Sequence, residues 1–253
     1  MSHINRRQFI KLAAGGIAAS SFSSLSTAQA NSVDYKAIVF DAFPIFDPRP
    51  IFKLVKTLFP EKSDQFSLMW RTRIFEYTWL RVSANQYKNF WECISDALLF
   101  TSTQLNIKLS AEQHQQLMHA FLNLKPYPDV LSSLKVMKSK GLKLAFLSNM
   151  TPHMLITNIK HSGLEAYFDY VISTDEAKTF KPDPRAYQLG IDTLGYKKEE
   201  IVFTAFASWD AIGAKWFGYP TVWVNRLNFT SETLGENPDR IGSNLDTLLK
   251  FAT

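Results

Sequence analysis

Five short apolar runs set the tightest limit on how this chain folds: KAIVF (36–40), LKLAFLS (142–148), YVIS (170–173), IVFTA (201–205) and TVWVN (221–225). They are rich in β-branched and aromatic residues and do not alternate with polar ones. That pattern suits strands buried on both faces. Helix-length patterns lie at 128–140, 152–162, 184–195 and 209–217, and Gly141, Gly163, Gly195 and Gly218 sit at or just past their ends. Glycine closes a helix there because it enters the left-handed region at little steric cost. Strand–helix alternation predicts an α/β fold with a doubly wound, mostly parallel sheet.

One interval breaks the rhythm. No strand candidate occurs from about 49 to 125. In DQFSLMWRTRIFEYTWLRVSA the apolar residues Phe66, Met69, Trp70, Ile74, Tyr77 and Leu80 fall at helical spacing, and YKNFWECISDALLFTSTQL and SAEQHQQLMHAFLNL continue the pattern. KPYPD (125–129) reads as a hinge. The expected organisation is therefore a core of 31–48 and 126–253, split by a helical cap at 49–125. The tail after Asn225 reads as loop with a short last helix near LDTLLKF.

The formal charge of +5 raises the question of a polyanionic partner. Arg6, Arg7 and Lys11 account for much of it, and residues 1–30 hold no acid, so the rest of the chain carries 25 basic against 23 acidic residues. That balance speaks against nucleic acid. Paired arginines in NRRQFIK, the weakly apolar LAAGGIAASSF and the small-x-small ending STAQA read as a twin-arginine export signal over 1–30. A periplasmic protein with no membrane anchor after cleavage is expected, since the apolar run is shorter than the roughly 20 residues a span needs. Cys93 is the only cysteine, so no intrachain disulfide forms.

Ligands in doubly wound sheets sit beyond the carboxyl ends of the strands. The residues there are Asp41, then Ser148 and Asn149, then Asp175, then Ala205 to Asp210. Lys181, in FKPDPRAY, adds a cation that can pair with a carboxylate at that edge. Taken singly, each has an ordinary structural reading: Asp41 a solvated strand end, Asn149 a turn tie, Asp210 a helix N-terminal acid. The five histidines show no ligand spacing; His114 and His119 differ by five, not three or four.

Read together, FDAF, LSN, KPD and WDAIGA in this order resemble the haloacid dehalogenase-like superfamily. The cap text MWRTRIFEYTWLR (69–81) and NQYKNF (85–90), with RAYQL and GYPTVWVNR, is similar to its type II (S)-2-haloacid dehalogenases. The resemblance spans about residues 35 to 250. It implies a metal-independent hydrolase with no cofactor, acting on a small 2-haloacid through an ester on Asp41. It implies that Arg71, Asn149 and Phe90 receive the departing halide, and that Ser148 holds the substrate carboxylate. Lys181 would keep Asp41 ionised, Tyr187 would orient Lys181 or bind the substrate carboxylate, and Asp210 would hold Lys181 or a water. Phe43 and Trp209 would wall the pocket. Relatives often dimerise through the cap.

The chain departs from this family twice. DAFPIFD is one residue shorter than the family's first motif, with Pro44 at its glycine and a threonine hydroxyl lost. FTAFASWD places Ala205, Phe206 and Ala207 where polar residues are usual, with Ser208 one position along. Slowed ester hydrolysis is the expectation. Two alternatives stay open: a catalytically degenerate binder of a small carboxylate or protein, and a phosphatase. Phe43 opposes the second, since phosphatases of this superfamily keep an acid at that position.

Overall fold

The computed structural model describes residues 34–253, so the export-signal reading lies outside the described residues. A six-stranded parallel sheet runs in the order β5-β4-β1-β6-β7-β8. Its strands are β1 (Ala37–Phe40), β4 (Lys143–Ser148), β5 (Tyr170–Ser173), β6 (Ile201–Ala205), β7 (Thr221–Val224) and β8 (Arg240–Gly242). The first five match the apolar runs. β1 lies at the centre, with Val39 opposite Ala145 on one side and Phe203 on the other. The chain winds outward from β1 through β4 to β5, then returns to β6 and winds the other way. The strand order therefore reverses at β1, where a ligand crevice opens.

Alternate residues of each strand feed opposite cores. Ile38, Phe40, Leu144, Phe146 and Val202 face α5 (Val130–Ser139), α6 (Pro152–His161) and α9 (Asp246–Ala252). Ala37, Val39, Ala145, Leu147, Phe203 and Ala205 face α7 (Pro184–Leu194) and α8 (Ser208–Phe217). Both faces are apolar because both are covered, hence the unbroken apolar runs. Gly195 and Gly218 cap α7 and α8 with positive φ.

Between β1 and β4 come α1 (Arg49–Leu58), α2 (Ser63–Ser83), α3 (Phe90–Gln104) and α4 (Ala111–Ala120). Reciprocal capping boxes start α3 (Asn89 with Glu92) and α4 (Ser110 with Gln113), satisfying amides that a helix start leaves free. In α2 the buried row is Phe66, Trp70, Ile74 and Thr78. Each four-residue step advances about 40° around the helix, so the row spirals. Leu80, expected to continue the apolar stripe, therefore ends up exposed. Trp70 Nε1 donates to the Ile94 carbonyl and joins α2 to α3.

The expected hinge at 125–129 is partly a strand. β2 (Phe46–Asp47) and β3 (Lys125–Pro126) pair antiparallel, so the chain leaves and re-enters the sheet domain side by side. Two-residue strands carry no periodicity, and the three-residue β8 likewise escapes the sequence pattern, falling in a tail read as loop.

Gly213, on α8, packs against the ring that supports the site. An added Cβ would sit 2.6 Å from Tyr187 Oη and 2.7 Å from Pro182 Cβ. Gly213→Ala gains up to about 1 kcal/mol of helix propensity but overpacks this contact at about 1–3 kcal/mol. We expect a lower Tm in thermal denaturation; an unchanged or raised value would show that α8 shifts freely.

Candidate active site

β1 ends at Asp41, whose backbone N–H donates to the Thr204 carbonyl of β6 at 2.9 Å. The neighbouring strands on both sides hold the strand exit, so they aim the carboxylate. Asp41 Oδ1 accepts from Lys181 Nζ at 2.9 Å and from Ser148 Oγ at 3.2 Å. Among the described residues, Oδ2 accepts only the Phe43 N–H, at 3.2 Å. The Asp41 side chain is 12% exposed. Oδ2 is therefore the oxygen with a lone pair left for a ligand.

Lys181 is buried and bridges two carboxylates: its Nζ lies 2.5 Å from Asp210 Oδ2 as well as 2.9 Å from Asp41. Burial opposes its charge, but the two carboxylates outweigh it and hold its pKa above the ordinary lysine value. Burial pushes Asp210 up to about 6; the Lys181 ammonium opposes that shift and the Asp41 charge adds to it. Tyr187 Oη donates to Asp210 Oδ1 at 2.8 Å from beneath. Burial and the Asp210 charge hold that phenol well above its usual range.

These elements open into a cavity of about 710 Å³ between the sheet edge and helices α1 to α3. Asp41, Phe43, Arg71, Phe90, Ser148, Asn149, Lys181, Trp209 and Asp210 all line it. Nine of the ten sequence candidates thus meet in one place. Tyr187 is the correction. It is fully buried behind Asp210, lines no part of the cavity and makes no hydrogen bond to Lys181; its hydroxyl donates to Asp210 instead. Ser148 lines the cavity as expected, and its hydroxyl also donates to Asp41 at 3.2 Å and accepts from the Met150 N–H at 3.3 Å, which tethers the carboxylate.

Asn149 is oriented without ambiguity. Its Oδ1 accepts from the Lys181 backbone N–H at 2.9 Å and from the Thr174 hydroxyl at 3.3 Å. The amide NH2 cannot accept from a backbone N–H, so Oδ1 is the end turned to Lys181 and Nδ2 is the end left for the cavity. Arg71 is exposed at the mouth, with its guanidinium 5.3 Å from the Phe229 ring centroid. Trp79 Nε1 donates to the Lys181 carbonyl at 3.2 Å, tying α2 to the site.

The first departure has a structural answer. The Pro44 carbonyl accepts from Arg226 Nε at 3.1 Å and Nη2 at 2.8 Å. Arg226 also pairs with Asp129 at 2.7 Å and lies over the Tyr127 ring at 4.2 Å. The turn after Asp41, which has no glycine, is thus clamped from the far end of β7. At 205–207, Ala205 enters the core beneath the sheet, while Phe206 and Ala207 face the cavity. Ser208 also lines the cavity; its oxygen accepts from the Glu232 N–H at 2.8 Å, which fixes the side chain one position along from the lost polar groups.

Sequence reasoning missed one wall. Leu227, Phe229, Thr230 and Glu232 come from the tail read as plain loop. The Asn225 side chain closes that loop on Phe229 through two hydrogen bonds, one to its N–H and one to its carbonyl, and an Asn at a strand exit was the available signal. Phe52, Phe75 and Trp79 were also passed over, although Phe75 and Trp79 stand one helical turn apart. The histidines were judged by their spacing along the chain. His119 of α4 and His153 and His161 of α6 line one surface depression, but among the described residues no three His, Cys, Asp or Glu side chains converge on a metal position.

The Asp210 shift has signed consequences. Its folded pKa of about 6 exceeds the unfolded 3.8, so its contribution favours folding below 3.8 and is lost as pH rises through about 6. Activity runs the other way, because protonated Asp210 no longer holds Lys181 as a charged partner. We expect kcat to fall on acidification with an apparent pKa near 6, and Asp210→Asn to remove that limb. A profile that stays flat through this range would contradict the assignment.

Residues 64–224 match the family described as Haloacid dehalogenase-like hydrolase. The chain is 39% identical over 209 residues to the (S)-2-haloacid dehalogenase of Pseudomonas sp. (strain YL), covering 82% of this chain and 90% of that one. It is 38% identical to (S)-2-haloacid dehalogenase 2 of Pseudomonas sp. (strain CBS-3), covering 87% and 98%. The solved structure of L-2-haloacid dehalogenase from Xanthobacter autotrophicus with chloropropionic acid covalently bound superposes with a TM-score of 0.79 at 30% identity, covering 85% of this chain and 97% of that one.

Proposed function

Because this chain belongs to the haloacid dehalogenase-like hydrolases, we propose that it hydrolyses (S)-2-haloalkanoic acids to (R)-2-hydroxy acids. The observation that carries this is the Asp41 carboxylate, tethered through one oxygen by Lys181 and Ser148 and held at the other by one backbone N–H alone, at the floor of an apolar cavity. Oδ2 attacks C2 from the face opposite the halogen. A carbon–oxygen bond forms as the carbon–halogen bond breaks, and halide leaves with the bonding pair. Asn149 Nδ2 and the Arg71 guanidinium are the donors facing the cavity that receive it. Water then adds to the ester carbonyl of Asp41, releasing the hydroxy acid and one proton and restoring the carboxylate.

Attack and hydrolysis are unequally equipped. Ammonium, hydroxyl and amide surround Asp41, whereas Ala205, Phe206 and Ala207 offer no side-chain donor to position water. Hydrolysis of the ester is accordingly the slow step. With (S)-2-chloropropionate we expect a burst of chloride approaching one equivalent, then a slower steady state. A single turnover in ¹⁸O-water places the label in Asp41 and leaves the first product unlabelled. Label in that first product would mean that water attacks C2 directly, and absence of chloride above background would end the dehalogenase reading.

A further inference from the structure

The cavity is far larger than a short haloacid needs. Counting about 30 Å³ for each heavy atom as an upper bound, a six-atom 2-halopropionate fills at most ~180 Å³. That is roughly a quarter of the 710 Å³ between sheet and helices. The remaining volume is walled by rings. Phe206 lies 5.7 Å from Phe43 and 6.2 Å, edge-on, from Phe229. In the same lining, Trp209 meets Phe75 and Trp79 edge-on, each at 5.4 Å. Both walls start beside the reacting group: Phe43 donates its N–H to Asp41, and Trp209 precedes Asp210 in α8. Ring edges and faces presented in this way favour a further aromatic ring over water or a methyl group.

We propose that the substrate is a 2-halocarboxylate bearing an aryl-sized apolar group on C2, seated between the Phe43–Phe206–Phe229 and Phe75–Trp79–Trp209 walls. This rests on the dehalogenase reading above. The reaction itself is unchanged: Asp41 displaces halide from C2, and the aryl group stays attached. Phe206, which occupies a position the family usually fills with a polar residue, is the residue that adds a ring to the first wall.

The test compares bromide release by the purified protein from (S)-2-bromo-3-phenylpropionate and (S)-2-bromopropionate, with calorimetric binding of the unreactive 3-phenylpropionate and propionate. Burying the ring is expected to raise kcat/KM for the phenyl compound by roughly 10- to 100-fold over the methyl one. 3-Phenylpropionate should bind more tightly than propionate by a similar factor. Phe206→Ser should lower the ratio of the two kcat/KM values by several-fold. Bromide release from neither compound would overturn the dehalogenase reading and this inference with it. Release favouring bromopropionate, equal binding of the two unreactive acids, or an unchanged ratio in Phe206→Ser would overturn the inference alone.

Discussion

Asp41→Asn leaves a folded protein that releases no halide from (S)-2-chloropropionate. The amide keeps the shape of the side chain and an oxygen for Lys181 or Ser148, so the surrounding network has little reason to rearrange. It loses the charged oxygen that attacks C2, and an amide oxygen is a poor nucleophile. No neighbouring group takes over: Asp210 holds Lys181 with one oxygen and Tyr187 with the other, and Ser148 is tied to Asp41. Removing the nucleophile of a covalent mechanism typically costs several orders of magnitude, and a loss of at least about 10⁴-fold in kcat is expected here. Chloride release and intact-protein mass check it together. The wild type acquires the mass of a substrate ester under burst conditions, and the variant acquires none. Residual turnover within tenfold of wild type would remove Asp41 from the chemistry.

Lys181→Met affects stability and activity together. The ammonium is the one cation between two carboxylates whose side chains are 12% and 2% exposed. Methionine fills most of the same space and leaves both acids facing each other without a counter-charge. Breaking a buried pair by removing one partner costs about 3–5 kcal/mol, because the uncompensated charge stays behind. For a chain of this size that lowers Tm by roughly 10 °C or more. The loss shrinks at low pH, where a carboxyl takes up a proton and the repulsion ends. Lys181→Met combined with Asp210→Asn should recover much of the stability and none of the activity. That separation shows whether the triad is held for folding or for chemistry. A single variant as stable as wild type at neutral pH would mean that water enters and screens the pair.

The five main strands were legible because each is covered on both faces and so apolar throughout, a pattern that needs no partner to be seen. Asp41 stood out for the same reason: a carboxylate at the end of such a run is already at the edge where the sheet opens. Short elements were not legible, since Phe46–Asp47 and Arg240–Gly242 owe their strand geometry to a partner distant in the chain. The direction of a side chain was legible least. Tyr187 was placed near the site by its motif, yet α7 runs behind α8 and turns its hydroxyl to the back of Asp210.

By itself, the sequence determined the α/β alternation, the helical interruption, and the order in which Asp41, Ser148, Asn149, Lys181 and Asp210 arrive at one edge. These follow from local periodicity and strand ends, which are properties of neighbours along the chain. Only the tertiary structure decided which oxygen of Asp41 is less engaged, that Ser148 helps to hold the other, and that Arg226 clamps the carbonyl of Pro44 across 182 residues. It alone also enclosed the ring-lined cavity, whose walls come from α1, α2, α3, the start of α8 and the loop after β7. A hydrogen bond or a packed ring depends on distances of a few ångströms between segments far apart in sequence. Such distances are set when the sheet and helices pack together.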